Sequence, residues 1–368
     1  MTKQAWRRTW FQVHKWIGLI LAIVIIPLSL SGAALVWDEA LDRVVNPARF
    51  AVSGDTLLAP DAYVAAARTV LKSGDRIAQL TLPGEDGPVI VAASPAGKPV
   101  ARPGPPQRTM VYLDPPTARV LEVAASGGGL LRFLHVLHGS LQIPGVGRSI
   151  VGWIGVFMMV SSFTGLWLWW PMVGKWLRGL RWRRHRNTDT NLHYLMGFWI
   201  ALPLFVLSLT GAWISFPAFF AALSGGAPAR SPGPDRAAMA RAKPLASPAQ
   251  PLAAVIDKAE VASRGKLRSV AWPTDLSADW TVTFAGKGGP GAAVKVADDT
   301  GTALAAPARP QGGIARLMRQ IHDGTGMGAV WQAIIFIGGI LPAALAVTGV
   351  IMWWRARGWK AKLAARRA

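Results

Sequence analysis

The chain has 368 residues, 51% of them hydrophobic and only 16% charged; soluble domains carry about 25% charged residues, so the composition points to a membrane. The absence of cysteine excludes thiolate zinc sites, cysteine-held iron–sulfur clusters, disulfides and covalent haem attachment. A formal charge of +21 invites a nucleic-acid reading, which the placement of the charges below argues against.

In chain order, residues 1–37 are a basic start followed by an apolar run at 16–37. Ser31-Gly32-Ala33-Ala34 resembles a small-residue cleavage site, but the run exceeds a usual signal core and its pattern recurs internally, so it reads as an uncleaved first span. Region 38–128 predicts a helix from Pro60-Asp61-Ala62-Tyr63 to about Leu71. Strand-like runs follow at 77–82, 88–93 and 110–123, the last broken by a turn at Asp114-Pro115-Pro116-Thr117. Residues 129–170 hold an approach segment and a second span at 149–170, and 171–192 form a basic loop. A third span at 194–216 lies within 193–222. Region 223–315 then repeats the earlier pattern: a helix from Ser247-Pro248 to near Ala262, strand-like runs at 267–272, 280–285 and 293–304, and a turn at Asp298-Asp299-Thr300-Gly301. An approach segment and fourth span (329–354) fill 316–354, and 355–368 is a basic tail. Stretches 99–106, 225–234 and 305–313 read as Pro/Gly/Ala-rich connectors. All four apolar runs can cross roughly 30 Å of hydrocarbon at ~1.5 Å per residue.

With the N-terminus inside, stretches 1–15, 171–192 and 355–368 face the cytoplasm. They hold sixteen Lys/Arg against one acid, Asp189, leaving twenty-four bases against eighteen acids elsewhere. That asymmetry is the positive-inside pattern, so the basic runs mark topology and lipid contact and no nucleic acid is expected. The doublets Trp169-Trp170 and Trp353-Trp354 fall at the cytoplasmic exits and read as interfacial belts.

Four of the six histidines recur at matched spacings. His14 lies eighteen residues before Gly32, reached through Ser29-Leu30-Ser31, and His193 lies eighteen before Gly211, reached through Ser208-Leu209-Thr210. His138 and His322 each lie twenty-seven residues before a Thr-Gly pair, Thr164-Gly165 and Thr348-Gly349. Eighteen residues are five α-helical turns, which places Gly32 on the stripe of His14 and Gly211 on that of His193. Gly18 and Gly197, one turn past their histidines, open space beside the rings or simply permit close helix packing. Pro27, Pro203 and Pro342 kink the spans. Segment 131–138 aligns with 315–322, matching Arg132 with Arg316, His138 with His322, and His135 with Arg319.

Taken with these elements, the stretches His14-Lys15-Trp16-Ile17-Gly18-Leu19, Leu137-His138-Gly139, Asn191-Leu192-His193-Tyr194-Leu195-Met196-Gly197 and Ile321-His322-Asp323-Gly324 resemble the PepSY-associated transmembrane family. Its relatives include inner-membrane ferric-siderophore reductases that bind haem b, and Tyr112-Leu113-Asp114-Pro115-Pro116-Thr117 resembles the strand–turn of a PepSY module. The resemblance implies an integral membrane α-helical bundle of four transmembrane helices with an internal twofold repeat. It also implies two small periplasmic α+β PepSY-like regions, a bacterial inner-membrane location and two b-type haems. A six-coordinate haem takes two axial imidazoles. His14 with His193 would be one pair and His138 with His322 the other, with His135 a rival to His138. Taken singly, a histidine at a membrane boundary also reads as an anchor or helix cap. Arg132 and Arg316 suit haem propionates or lipid phosphate, and His185, in a basic loop without a counterpart, reads as solvated.

The expected function is an oxidoreductase: transmembrane electron transfer that reduces a periplasmic ferric siderophore or other iron chelate. No nucleotide or flavin fingerprint is present, so a cytoplasmic reductant or quinol would be a separate donor. Membrane lipid is the other partner. The alternative is a non-enzymatic, membrane-anchored PepSY module that binds a periplasmic peptide, protease or chelate. A transporter ranks last, since no acidic residue sits in an apolar core to form a relay.

Overall fold

The structure, a computed structural model, describes residues 2–84, 86–97, 107–170, 176–182, 184–224, 242–263, 265–286, 289–306 and 313–365. The connectors expected at 99–106 and 225–234, most of that at 305–313, and Lys175, Arg183, Arg366 and Arg367 lie outside the described residues. The helices are α1 (Lys3–Leu35), α2 (Asp38–Val45), α3 (Pro60–Val70), α4 (Gly129–Ser140), α5 (Gly147–Trp169), α6 (Thr188–Ser215), α7 (Pro217–Leu223), α8 (Leu252–Ala262), α9 (Ile314–Asp323) and α10 (Gly328–Ala365). The strands are β1 (Arg76–Thr81), β2 (Val89–Ser94), β3 (Thr109–Leu113), β4 (Val120–Ala125), β5 (Leu267–Ala271), β6 (Asp279–Gly286), β7 (Gly289–Ala297) and β8 (Ala303–Ala305). These elements divide into a helical unit (Met1–Asp38, Phe133–Ala229, Gly312–Ala368) and a sheet unit (Glu39–Arg132, Arg230–Gln311).

In the helical unit α1, α5, α6 and α10 are long and apolar enough to cross a membrane. Helix α1 starts well before the apolar run, at Lys3, because Thr2 caps it through Oγ1 and nothing between there and the span breaks a helix. Both α1 and α6 pack against α5 and α10, so α1 and α6 occupy opposite corners of a four-helix ring. Small residues set the close approaches. A Cβ on Gly155 would lie 3.0 Å from the Ser208 carbonyl, and one on Gly339 would lie 2.7 Å from the Ala33 Cβ. Without a hydrophobic effect between helices in lipid, such backbone proximity supplies the packing attraction.

The sheet unit is a single antiparallel sheet in the order β4-β3-β2-β1-β5-β6-β7-β8. The two regions read separately in the sequence join here through β1 and β5, with Leu80 opposite Val270. That pairing covers what would otherwise be an open edge on each region. Alternating residues send Val89, Val91, Val111, Val282, Phe284 and Val294 into a core shared with Tyr63 of α3 and Val255 of α8. The predicted turns both form around a buried aspartate. Asp114 accepts from the Ser53 amide (2.7 Å) and from the hydroxyls of Ser53 (2.6 Å) and Thr117 (2.5 Å). Asp298 accepts from the Ala249 and Gln250 amides and from the Trp280 indole (2.8 Å).

Candidate functional site

Four imidazoles meet as two pairs inside the helical unit. His14 of α1 and His193 of α6 have ring centres 6.4 Å apart, with planes at 86°. His138 of α4 and His322 of α9 are 6.0 Å apart, with planes at 37°. The first pair lies toward the end of the bundle where α1 and α6 begin and α5 and α10 finish. The sequence repeat named these four residues, and the structure brings them together in that pairing.

Each ring rests on a glycine of another helix. An ideal Cβ would lie 2.5 Å from His138 Cε1 if built on Gly32, 3.0 Å from His14 Cε1 on Gly165, 3.1 Å from His322 Cε1 on Gly211 and 3.4 Å from His193 Cε1 on Gly349. Gly32 and Gly211, which share a stripe with His14 and His193, do not seat those rings. They seat His138 and His322, while Gly165 and Gly349 seat His14 and His193. Gly18 has nothing near its Cβ position and Gly197 only an ordinary contact to Leu345 at 3.9 Å, so neither cradles a ring. Residues sharing one helical stripe do not stack on one another; a ring is filled in by the neighbouring helix.

The same glycines explain how the rings are held. His14 Nδ1 lies 3.1 Å from the Ser161 carbonyl and 3.1 Å from Thr164 Oγ1, four and one residues before Gly165. His322 Nδ1 finds the Leu207 carbonyl (3.1 Å) and Thr210 Oγ1 (3.0 Å) at the same offsets from Gly211. His193 Nδ1 finds Thr348 Oγ1 (2.9 Å), with the Leu345 carbonyl as a further partner. His138 Nδ1 bonds the Leu28 carbonyl (2.9 Å), which also accepts from Ser31. Thr164, Thr210 and Thr348 each donate their hydroxyl proton to a carbonyl of their own preceding turn. Their oxygens are thus left to accept, and each Nδ1 carries the proton. That tautomer turns the Nε2 lone pair away from the anchor, the arrangement expected of a metal-ligating imidazole. Burial holds His138 below the ordinary imidazole range; burial and then its neighbour His138 lower His322 to about 4, so both rings of this pair are neutral.

The spacing can be tested against coordination geometry. A metal–nitrogen distance of about 2 Å, plus about 1 Å more to the ring centre, puts the centres of two trans imidazoles about 6 Å apart. Both pairs meet that figure. Among the described residues no three His, Asp or Glu side chains cluster as a metal site. Each pair therefore offers two donors, the number a planar tetradentate ring leaves unfilled.

Several other candidates land elsewhere. His135 is exposed, and it is His138 whose ring faces His322. Arg316 is exposed on α9 and Arg132 is half-buried at the start of α4; neither is among the groups that hydrogen-bond the rings. His185 is not a solvated loop residue. Asn191 clasps its backbone amide and carbonyl (2.7 Å each), its ring lies 4.5 Å from Tyr194, and its Nε2 is buried without a partner. Within the first tryptophan doublet only Trp170 is exposed; Trp169 is buried and stacks on Phe198 at 4.1 Å. The ring anchors Thr164, Thr210 and Thr348 carried no assigned role in the sequence. Their one available signal was the Ser or Thr that directly precedes each of the four glycines.

Comparison with curated proteins finds none that matches this chain. A family model described as PepSY-associated TM region matches residues 11–356. That match takes in most or all of each apolar helix and all four paired histidines, so the chain is a multi-pass membrane protein that belongs to the PepSY-associated transmembrane family.

Proposed function

We propose that the protein carries electrons across a bacterial inner membrane on two b-type haems and reduces a ferric chelate, a ferric siderophore in the reading the sequence favours. The observation that carries this reading is the pair of ring separations, 6.4 and 6.0 Å, each between imidazoles tethered at Nδ1. Haem bound at each pair supplies a one-electron ferric/ferrous couple. The chain's own residues do the rest. His14 and His193 present Nε2 at the end of the bundle that the charge pattern assigns to the cytoplasm, where the donor acts. His138 and His322 present theirs on the other side, toward the chelate, whose weaker hold on Fe(II) releases iron. The four glycines let each ring lie against its neighbouring helix, and the anchors fix the ligating tautomer so that little reorganises as the charge changes.

The test is a reduced-minus-oxidised absorption spectrum of the full-length protein, expressed with ample haem and purified in detergent. About two low-spin haems per chain are expected. His14→Ala and His138→Ala should each remove one, and His135→Ala neither. The dithionite-reduced protein should then pass electrons to a ferric chelate, read by a ferrous trap. A colourless protein overturns the proposal and leaves the non-enzymatic module, with the four rings purely structural. The ring angles add a spectroscopic check. Perpendicular ligand planes leave the iron d-orbitals nearly degenerate, so the His14–His193 site should give the more anisotropic ferric EPR signal.

A further inference from the structure

At the end of the bundle beyond the His14–His193 pair lies a cavity of about 380 Å³, lined by Gln4, Arg7, Arg8, Phe11, Leu168 and Tyr194. Three of its lining residues lie next to the histidine site along their helices. Phe11 is one turn before His14 on α1, Leu168 is one turn past Gly165 on α5, and Tyr194 follows His193 on α6. The lining nearest the pair is apolar or aromatic, and that farther out along α1 is cationic and polar.

Arg7 and the nearby Arg184 are held by backbone carbonyls. Arg7 donates to the carbonyls of Trp167 (3.4 Å), Leu168 and Trp170 (3.1 Å) at the end of α5, and Arg184 donates to that of Trp169 (2.6 Å). Free carbonyls at a helix C-terminus hold such guanidinium groups in place. Arg184 also lies over the Tyr194 ring at 5.1 Å. Among the described residues the ion pairs are Arg43–Glu39, Arg49–Asp42, Arg49–Glu122, Lys295–Asp279 and Arg355–Asp189, and none involves Arg7, Arg8 or Arg184. Burial pulls the Arg184 guanidinium below its ordinary range; Tyr194 opposes that shift and the Arg7 charge adds to it. Such a cluster needs oxyanions, and its position selects their source.

We infer that this cavity binds the two carboxylates of the porphyrin whose iron lies between His14 and His193, with Arg8 and the remaining N–H groups of Arg7 as donors. The inference rests on the function proposed above and adds the orientation of the ring: its apolar body points into the bundle and its carboxylate edge toward the chain termini. Haem carboxylates and a lipid phosphate share oxyanion chemistry; continuity with the histidine pair favours the former.

Arg8 is exposed and has no hydrogen-bonded partner among the described residues, so Arg8→Gln should fold. The test uses the full-length chain with His138→Ala, which isolates the His14–His193 site, produced under haem limitation and loaded in detergent. Haem should bind about tenfold more tightly than its dimethyl ester, the worth of one charge-assisted hydrogen bond. Arg8→Gln should reduce that preference to about twofold, and Arg8→Lys should restore it. A redox titration should show a more negative midpoint for Arg8→Gln, since removing a nearby cation favours the ferric state. Equal binding of haem and ester, with an unchanged midpoint in Arg8→Gln, overturns the inference and leaves the function proposal standing. Loss of co-purifying anionic phospholipid in Arg8→Gln, without any change in ester discrimination, also overturns it and assigns the cavity to lipid. A protein that takes up no haem of either kind removes both readings, which separates the two failures.

Discussion

The first half of the bundle, α1 with α4 and α5, and the second, α6 with α9 and α10, build the same ring seat and then part company in tightness and charge. In the first half the two seating glycines leave 2.5 and 3.0 Å for a Cβ; in the second they leave 3.1 and 3.4 Å. At the end where the chain termini lie, the second half pairs Arg355 with Asp189, whereas Arg7 and Arg8 of the first half have no carboxylate among the described residues. The seat is constrained by a close approach between a ring and a backbone, which calls for a glycine in both halves. Charge at a bundle end faces water and headgroups, so it is free to diverge. The sheet unit shows a parallel contrast: both halves bury a turn aspartate, but Asp114 recruits hydroxyls and Asp298 recruits backbone amides and an indole.

The sharpest way to break the comparison is at the glycines. Gly32→Ala puts a methyl 2.5 Å from His138 Cε1, well inside the roughly 3.5 Å of an ordinary carbon contact, and should remove one of the two proposed haems. Gly349→Ala, at 3.4 Å, should keep both. Equal haem content in the two variants would show that the seats are not graded as their geometry requires. Next in size are the anchors. Thr348→Val keeps the side-chain shape but removes the oxygen at His193 Nδ1, and should weaken haem retention about tenfold in a competition assay. Thr164→Val should cost a similar amount, because each ring keeps a carbonyl partner, Ser161 for His14 and Leu345 for His193.

The sheet aspartates come third. Burial alone would raise Asp298, but hydrogen bonds from Ala249, Gln250 and Trp280 outweigh it and hold it below the ordinary carboxylate range; Asp114 is lowered likewise by Ser53 and Thr117. Because each folded value lies below the unfolded one, the stabilisation is complete above the unfolded value and is lost as pH falls through the folded one. Asp298→Asn should cost about 1–3 kcal/mol at neutral pH and flatten the acid limb, read by hydrogen exchange at β6 and β7. An unchanged acid limb would remove Asp298 from that account. The smallest effect belongs to Asp189→Asn, which frees Arg355 and makes the second half resemble the first in charge. For a pair this exposed, a loss under about 1 kcal/mol in thermal stability is expected.

The sequence by itself determined the four apolar spans, the helix-then-strands order of regions 38–128 and 223–315, and which four histidines belong together. Each depends on period or spacing along one chain, and hydrophobic runs, turn residues and repeated intervals are local properties. It did not place Gly32 under His138 or Gly165 under His14, because a seat is made by two helices whose rotation about their axes no spacing records. Nor did it join these two regions into one sheet, since the β1–β5 pairing links strands nearly two hundred residues apart and both edges look alike in the sequence. Trp169 moved from surface to interior for the same reason: Phe198, which stacks on it, is a neighbour only in space. Tertiary structure also decided that the threonines accept. A hydroxyl's role depends on which carbonyl already takes its proton, and that is settled only once a ring arrives from the neighbouring helix.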